Sequence, residues 1–237
     1  MEKVIGINPV IELLQNKEKT IEKIEIFKGL KEEKLGKLKR LAAARNVKLF
    51  HTTNKVENSQ GIVAYITEYD YYMDFGAFLE KIARDEKGIV LILDGVQDPR
   101  NFGALIRSAE IFGVQGIIIP ERNSVKINET VIKTSTGAIE HMDIVKVTNI
   151  SEAISQLKKL DYWVYGAEGE ERAKNYYDEK YPLKSALVLG SEGEGIRKKV
   201  KENCDFLVKI PMHGKINSLN VSVAGGIILS EIAKSIY

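Results

Sequence analysis

From Ile89 onward the chain repeats one pattern: short, almost wholly apolar runs set apart by loops and stretches of helical periodicity. IVLILD, GIIIP, IVKV, YWVYGA and ALVLG follow one another in this way, and FLVKIP precedes a last apolar helix. Strands that are apolar on both sides are stable only where both sides are covered, so the alternation predicts an α/β fold: a parallel sheet between layers of helices. The first seventy residues read differently. Asn8-Pro9 predicts a helix opening with Asn as cap and Pro in the first turn. Then come a strand KIEIF, an amphipathic helix KEEKLGKLKRLAAAR, a short VKLF and a strand GIVAYI. That is enough for a small separate α/β unit. The expected domains are therefore 1–70 and 88–237, with 71–87 a linker carrying one helix.

Composition mostly excludes. With 237 residues, 44% of them apolar, the chain can bury a core, and disorder is not expected. No run of eighteen apolar residues occurs, and MEKVIGINPV lacks the apolar region and cleavage site of a leader. The expectation is a soluble, non-exported, cytoplasmic protein. Cys204 is the only cysteine, and His51, His141 and His213 are far apart, so no disulfide and no metal ligand set is expected. His213 is read as a solvated bystander. A net charge of +2 is too small to announce a nucleic-acid partner.

Open sheets of this kind bind ligands beyond the carboxyl ends of their strands. That rule selects three loops: DGVQDPRNFG after the first strand, GSEGEG after ALVL, and PMHGKINSLN after FLVKI. In the first, Asn101 is placed to cap the following helix, and Arg100 and Arg107 flank a loop suited to gripping a phosphate. In the second, Gly190, Gly193 and Gly195 stand in the order G-x-x-G-x-G, with a helix expected to start near Ile196. That is not the dinucleotide order, and Glu192 and Glu194 would repel a pyrophosphate. A ligand without phosphates, even a cationic one, fits better. LGSEG also misses the nucleophile elbow, which removes Ser191 as a hydrolase nucleophile. In the third, Gly214 allows close backbone approach, while Asn217, Ser218 and Asn220 exceed what one helix cap needs. The Gly225-Gly226 pair further along implies close packing against another backbone.

Taken together and in this order, NFGALIRSAEIFG, LVLGSEGEGI and VKIPMHGKINSLNVSVA resemble the three motifs of the SpoU (TrmH) branch of the SPOUT RNA methyltransferases. GINPVIELLQ and QGIVAYI resemble the L30e-like RNA-binding domain found in the same proteins, and the two-domain layout is most similar to the 23S rRNA guanosine 2'-O-methyltransferases. The resemblance implies S-adenosylmethionine (SAM) as methyl donor, a C-terminal trefoil knot and an obligate homodimer whose active site uses both subunits. It implies RNA as substrate, with neither DNA nor a membrane as partner. Gly190, Ile210 and Leu219 match the family's SAM-contacting positions, and Asn101, Arg107, Glu192, Ser218 and Asn220 match its active-site positions. Asn217 stands where the family has serine, which makes it a doubtful ligand.

Three other readings compete. A tRNA ribose 2'-O-methyltransferase would carry the same motifs. A catalytically silent RNA-binding or ribosome-assembly factor would not need Asn101, Arg107, Glu192, Ser218 and Asn220 intact. A nicotinamide-dependent oxidoreductase is opposed by the glycine order and the loop glutamates.

Overall fold

The computed structural model describes residues 2–16, 19–27, 32–53, 59, 61–66 and 71–237. The expected boundary at residue 70, and Lys31 and Gln60 at the edges of two expected segments, lie outside the described residues. The first elements are β1 (Glu2–Ile5), α1 (Ile7–Gln15), β2 (Ile21–Ile26), α2 (Glu32–Ala44), β3 (Leu49–His51) and β4 (Ile62–Ile66). Next come β5 (Tyr72–Met73), α3 (Phe75–Ile82), β6 (Gly88–Asp94), α4 (Pro99–Ile111), β7 (Val114–Pro120), α5 (Glu129–Thr134) and a 3-10 turn at Ala138–His141. The chain ends with β8 (Asp143–Val147), α6 (Ile150–Lys158), β9 (Trp163–Ala167), β10 (Lys174–Asn175), β11 (Lys184–Gly190), α7 (Lys198–Lys201), β12 (Phe206–Lys209) and α8 (Val221–Ile236). They form two compact units: Met1–Tyr71 with Ile127–His141, and Tyr72–Lys126 with Met142–Tyr237.

In the first unit the sheet order is β1-β4-β2-β3, with β4 antiparallel to both its neighbours and β2 parallel to β3. α1 buries Val10, Ile11, Leu13 and Leu14. It starts at Ile7, ahead of the expected Asn8 cap, because Gly6 at φ 106° turns the chain directly out of β1. Asn8 therefore lies within the first turn. Residues 127–141 belong to this unit by packing although they lie in sequence within the 88–237 span. α5 rests on β1, and the 3-10 turn rests on α1. Glu140 of that turn pairs with Lys19 at 2.8 Å, both side chains 1% exposed. Its second oxygen accepts from Asn16 Nδ2 at 3.1 Å. An ion pair this dry is tolerable only with its hydrogen bonds complete.

The second unit holds an eight-stranded sheet in the order β10-β12-β9-β11-β6-β7-β8-β5, every pairing parallel. All seven residues of β6 are buried, as expected of a strand covered on both sides. Val90 and Ile92 face a core shared with Phe78 and Ile82 of α3 and with Ala153, Ile154 and Leu157 of α6. By the two-residue period of a strand, Leu91, Leu93, Leu187 and Leu189 face the other way. There α8 packs on β11 and β6, beside α4. Residues 71–87, expected to be a linker carrying one helix, also supply the edge strand β5, and Phe78 and Ile82 of the helix are fully buried. The other edge strand, β10, consists of Lys174 and Asn175 and has no apolar signal to betray it.

α8 sits close because Gly225 lets it. A methyl group at Gly225 would lie 2.6 Å from Leu105 Cδ2 and 2.7 Å from Leu189 Cδ1. The close approach is thus to two buried side chains, not to backbone, and the nearest atom to a methyl at Gly226, Ser108 Oγ, would be at an ordinary 3.6 Å. Gly225→Ala is expected to cost about 1–3 kcal/mol of stability by overpacking, read as a fall in Tm. Gly226→Ala is expected to leave Tm unchanged or raise it. An unaltered Tm for Gly225→Ala would show that α8 can slide off Leu189.

Candidate active site

The three selected loops leave β6, β11 and β12, and the first two of these strands are neighbours in the sheet. After β6, the chain turns through Gly95 and reaches Asp98, whose Oδ1 accepts from the backbone N–H groups of Arg100 at 2.9 Å and Asn101 at 2.8 Å. Asp98 with Pro99 behind it is therefore the cap of α4. The expectation that Asn101 caps this helix is corrected. Asp98 takes the cap, and the Asn101 amide is left free to face the other loops.

That amide meets both of them. Asn101 Nδ2 donates to Glu192 Oε1 at 2.7 Å, and Asn101 Oδ1 accepts from Asn220 Nδ2 at 2.9 Å. Asn220 Nδ2 also donates to Glu192 Oε1 at 3.1 Å, closing a three-residue ring. The other end of Asn220 caps α8, its Oδ1 accepting from Ser222 N at 2.9 Å and Ser222 Oγ at 2.6 Å. Because the cap requires the oxygen, the amide nitrogen has to point at Glu192 and Asn101. One asparagine thus starts the helix and completes the ring.

Glu192 rides on a loop folded tightly onto itself. Ser191 and Gly195 exchange two backbone hydrogen bonds of 3.1 Å. A Cβ on Gly190 would lie 2.0 Å from the carbonyl carbon of Gly195 and 2.3 Å from the nitrogen of Ile196, so only glycine fits. α7 begins at Lys198, after the buried Ile196, slightly later than expected.

The remaining expected residues do not join the ring. Arg107 is six residues beyond Asn101 on α4, roughly 9 Å along the axis and about a third of a turn around it. It is exposed, and among the described residues its guanidinium has no hydrogen-bond or ion-pair partner. Ser218 is exposed, two residues ahead of the Asn220 cap. Ile210, half-buried, directly follows β12, and Leu219 is 39% exposed. Gly214 has open space where a Cβ would be, so no close approach within this chain requires it.

Residues 88–230 match the SpoU rRNA Methylase family, and residues 3–72 match the family described as RNA 2'-O ribose methyltransferase substrate binding. The chain is 42% identical over 223 residues to a protein of Staphylococcus haemolyticus described as a TrmH family tRNA/rRNA methyltransferase, covering 90% of this chain and 88% of that one. The chain belongs to the SpoU rRNA methylase family. It is an RNA methyltransferase. A Staphylococcus aureus protein of the same description is 40% identical over 222 residues, with the same coverage. Among solved structures, the SpoU methyltransferase AviRb of Streptomyces viridochromogenes in complex with AdoMet superimposes with a TM-score of 0.80 at 20% identity, over 98% of this chain and 89% of that one. An AdoMet-bound rRNA methyltransferase from Sinorhizobium meliloti gives 0.79 at 21% identity, over 100% and 88%. At that identity these two speak for the fold.

In this SpoU enzyme two features escaped the sequence reading. Asp98 could have been found, since Asp-Pro ahead of a helical pattern is itself a cap signal. The exposed apolar side chains of the third loop, Met212 at 41% and Ile216 at 76%, gave no periodic signal. Cys204 is no nucleophile here: burial pushes its thiol up to about 12. Among the described residues no helix is long and apolar enough to cross a membrane.

Proposed function

We propose that this SpoU enzyme methylates the 2'-OH of a guanosine ribose in 23S rRNA, using SAM, in the cytoplasm and as a homodimer. The observation that carries the site is the closed ring of Asn101, Glu192 and Asn220, one residue from each of the three loops. The first unit is read as an L30e-like RNA-binding domain, supported by the substrate-binding match over residues 3–72. The homodimer is supported by apolar side chains left exposed on α4 and α8, Ile111 at 62% and Val223 at 49%. A C-terminal trefoil knot comes with the family resemblance.

The residues present fit SAM. The loop from Gly190 to Gly195 offers backbone folded tight on itself because Gly190 has no side chain, and it carries two exposed carboxylates, Glu192 and Glu194, and no phosphate-binding cation. Gly190, Ile210 and Leu219 would hold the group by backbone. When bound, SAM supplies an electrophilic methyl on a positively charged sulfonium. The chain's own task is to align a ribose hydroxyl and manage its proton. Asn101 and Asn220 hold the Glu192 carboxylate in a fixed direction, and Ser218 and Asn220 form the floor beside the ribose. Arg107 stays protonated and grips the target phosphate while favouring the developing alkoxide. Family membership sets aside an oxidoreductase, and the intact Asn101, Arg107, Glu192, Ser218 and Asn220 speak against a silent binding factor.

Incubating the enzyme with labelled SAM and unmodified total RNA tests the target. Label is expected in 23S rRNA, at one position resistant to alkaline cleavage. Label confined to tRNA would overturn the rRNA assignment.

A further inference from the structure

The Glu192 loop leaves the sheet from β11, which lies between β9 and β6. Each neighbour delivers a carboxylate at its carboxyl end: Asp94 is the last residue of β6, and Glu168 directly follows β9. The two side chains reach the returning end of the loop from opposite sides and take consecutive backbone N–H groups. Ile196 N donates to Glu168 Oε1 at 2.6 Å, and Arg197 N donates to Asp94 Oδ2 at 2.9 Å. Asp94, fully buried in its side chain, also holds Arg197 Nε at 2.8 Å and Nη2 at 2.6 Å.

Helix capping accounts for only one of these bonds. Arg197 is the N-cap residue of the short α7, so its N–H is a donor the helix start leaves open, but Ile196 lies ahead of it and the Glu168 bond serves no cap. What the carboxylates fix is the loop. Glu168 presses on it as well, its Oε1 lying 2.8 Å from where a Cβ on Gly195 would be. Gly195 in turn is the residue packed against Gly190. Through its own N–H, Glu168 donates to Val208 O at 3.0 Å, on the strand that feeds residues 210–219. One side chain and its backbone therefore reference both segments read as holding SAM.

We propose that Glu168 is a positioning residue for the methyl-donor site. With Asp94 it fixes the trailing end of the 190–197 loop, and thereby sets the backbone of Gly190. The proposal rests on the placement of SAM at Gly190.

The test is calorimetric titration of the full chain with SAM and with S-adenosylhomocysteine, alongside Tm in the absence of either. Glu168→Ala is expected to weaken both affinities by roughly 10- to 100-fold, the loss of a hydrogen bond to a charged acceptor. Glu168→Gln keeps an oxygen for Ile196 N and is expected to stay within about threefold of the parent. Lys201→Met removes the ammonium 3.6 Å from Glu168 Oε1 and is expected to leave affinity unchanged. Should Glu168→Ala not fold, Glu168→Asp withdraws the carboxylate by one methylene, with an expected loss of about tenfold. Affinity within twofold of the parent for the folded Ala or Asp variant overturns the proposal. So does a Gln variant as weak as Ala, which would assign the effect to charge. A parent chain whose SAM affinity ignores Gly190→Ala would remove the site itself, a separate failure from an inert Glu168.

Discussion

Gly190→Ala is expected to abolish SAM binding, with no heat detectable in a titration that gives a clear isotherm for the parent. The added methyl would stand 2.0 Å from the Gly195 carbonyl carbon and 2.3 Å from both its oxygen and Ile196 N. These are backbone atoms, so no rotamer can relieve the clash. The loop must open by more than an ångström, against a pair of 3.1 Å hydrogen bonds between Ser191 and Gly195. Overpacking of this kind costs about 1–3 kcal/mol where side chains can yield, and more where they cannot. Gly214→Ala serves as the control. Nothing lies within 4 Å of its Cβ position, and affinity should hold. Binding within threefold of the parent by the Gly190 variant would exclude the second loop as the donor site.

The second large effect concerns Asn220, whose two ends do different work. Asn220→Ser keeps a cap oxygen for α8 but gives up both amide contacts, so stability, read as Tm, should fall by well under the roughly 1 kcal/mol of a lost cap. Methyl transfer should nevertheless fall by about 100-fold or more, because Glu192 loses one of its two amide donors and Asn101 loses the donor to its amide oxygen. Asn220→Asp sharpens the separation. A carboxylate suits the helix N-terminus, yet it would place a second negative charge where the amide now sits 3.1 Å from Glu192 Oε1. Stability is expected to hold or rise while activity is lost. If Asn220→Ser retains near-full activity, the ring is a cap with decoration and not a catalytic constellation.

Much of this arrangement could be read from the chain, and the failures have physical causes. β6, β7, β8, β9 and β11 were legible because strands covered on both sides are mostly apolar, and the rule on carboxyl ends then selected three loops whose Asn101, Glu192 and Asn220 the structure brings together. The convergence of Asn101, Glu192 and Asn220 followed from that. What was misjudged lay within a few residues: Asp98 and Asn101 are both able to cap, and composition alone cannot choose between residues three apart. Gly6 and Asn8 pose the same problem at α1. Asp94 and Glu168 were invisible for another reason. Their partners are backbone groups 103 and 28 residues away, and a donor that every residue possesses leaves no trace in sequence.

The packing of residues 127–141 into the first unit also orders events during synthesis. When Tyr71 has emerged, Lys19 has no Glu140 to meet, and β1 lacks α5. Seventy further residues must be made before that unit can close, roughly 4 to 14 s at ordinary elongation rates. Over that interval a lysine destined to be buried stays in water, and the sheet of the first unit stands with one side unfinished. Translation speed between codons 71 and 141 sets how long that state lasts, and a chain cut short at residue 71 keeps it permanently.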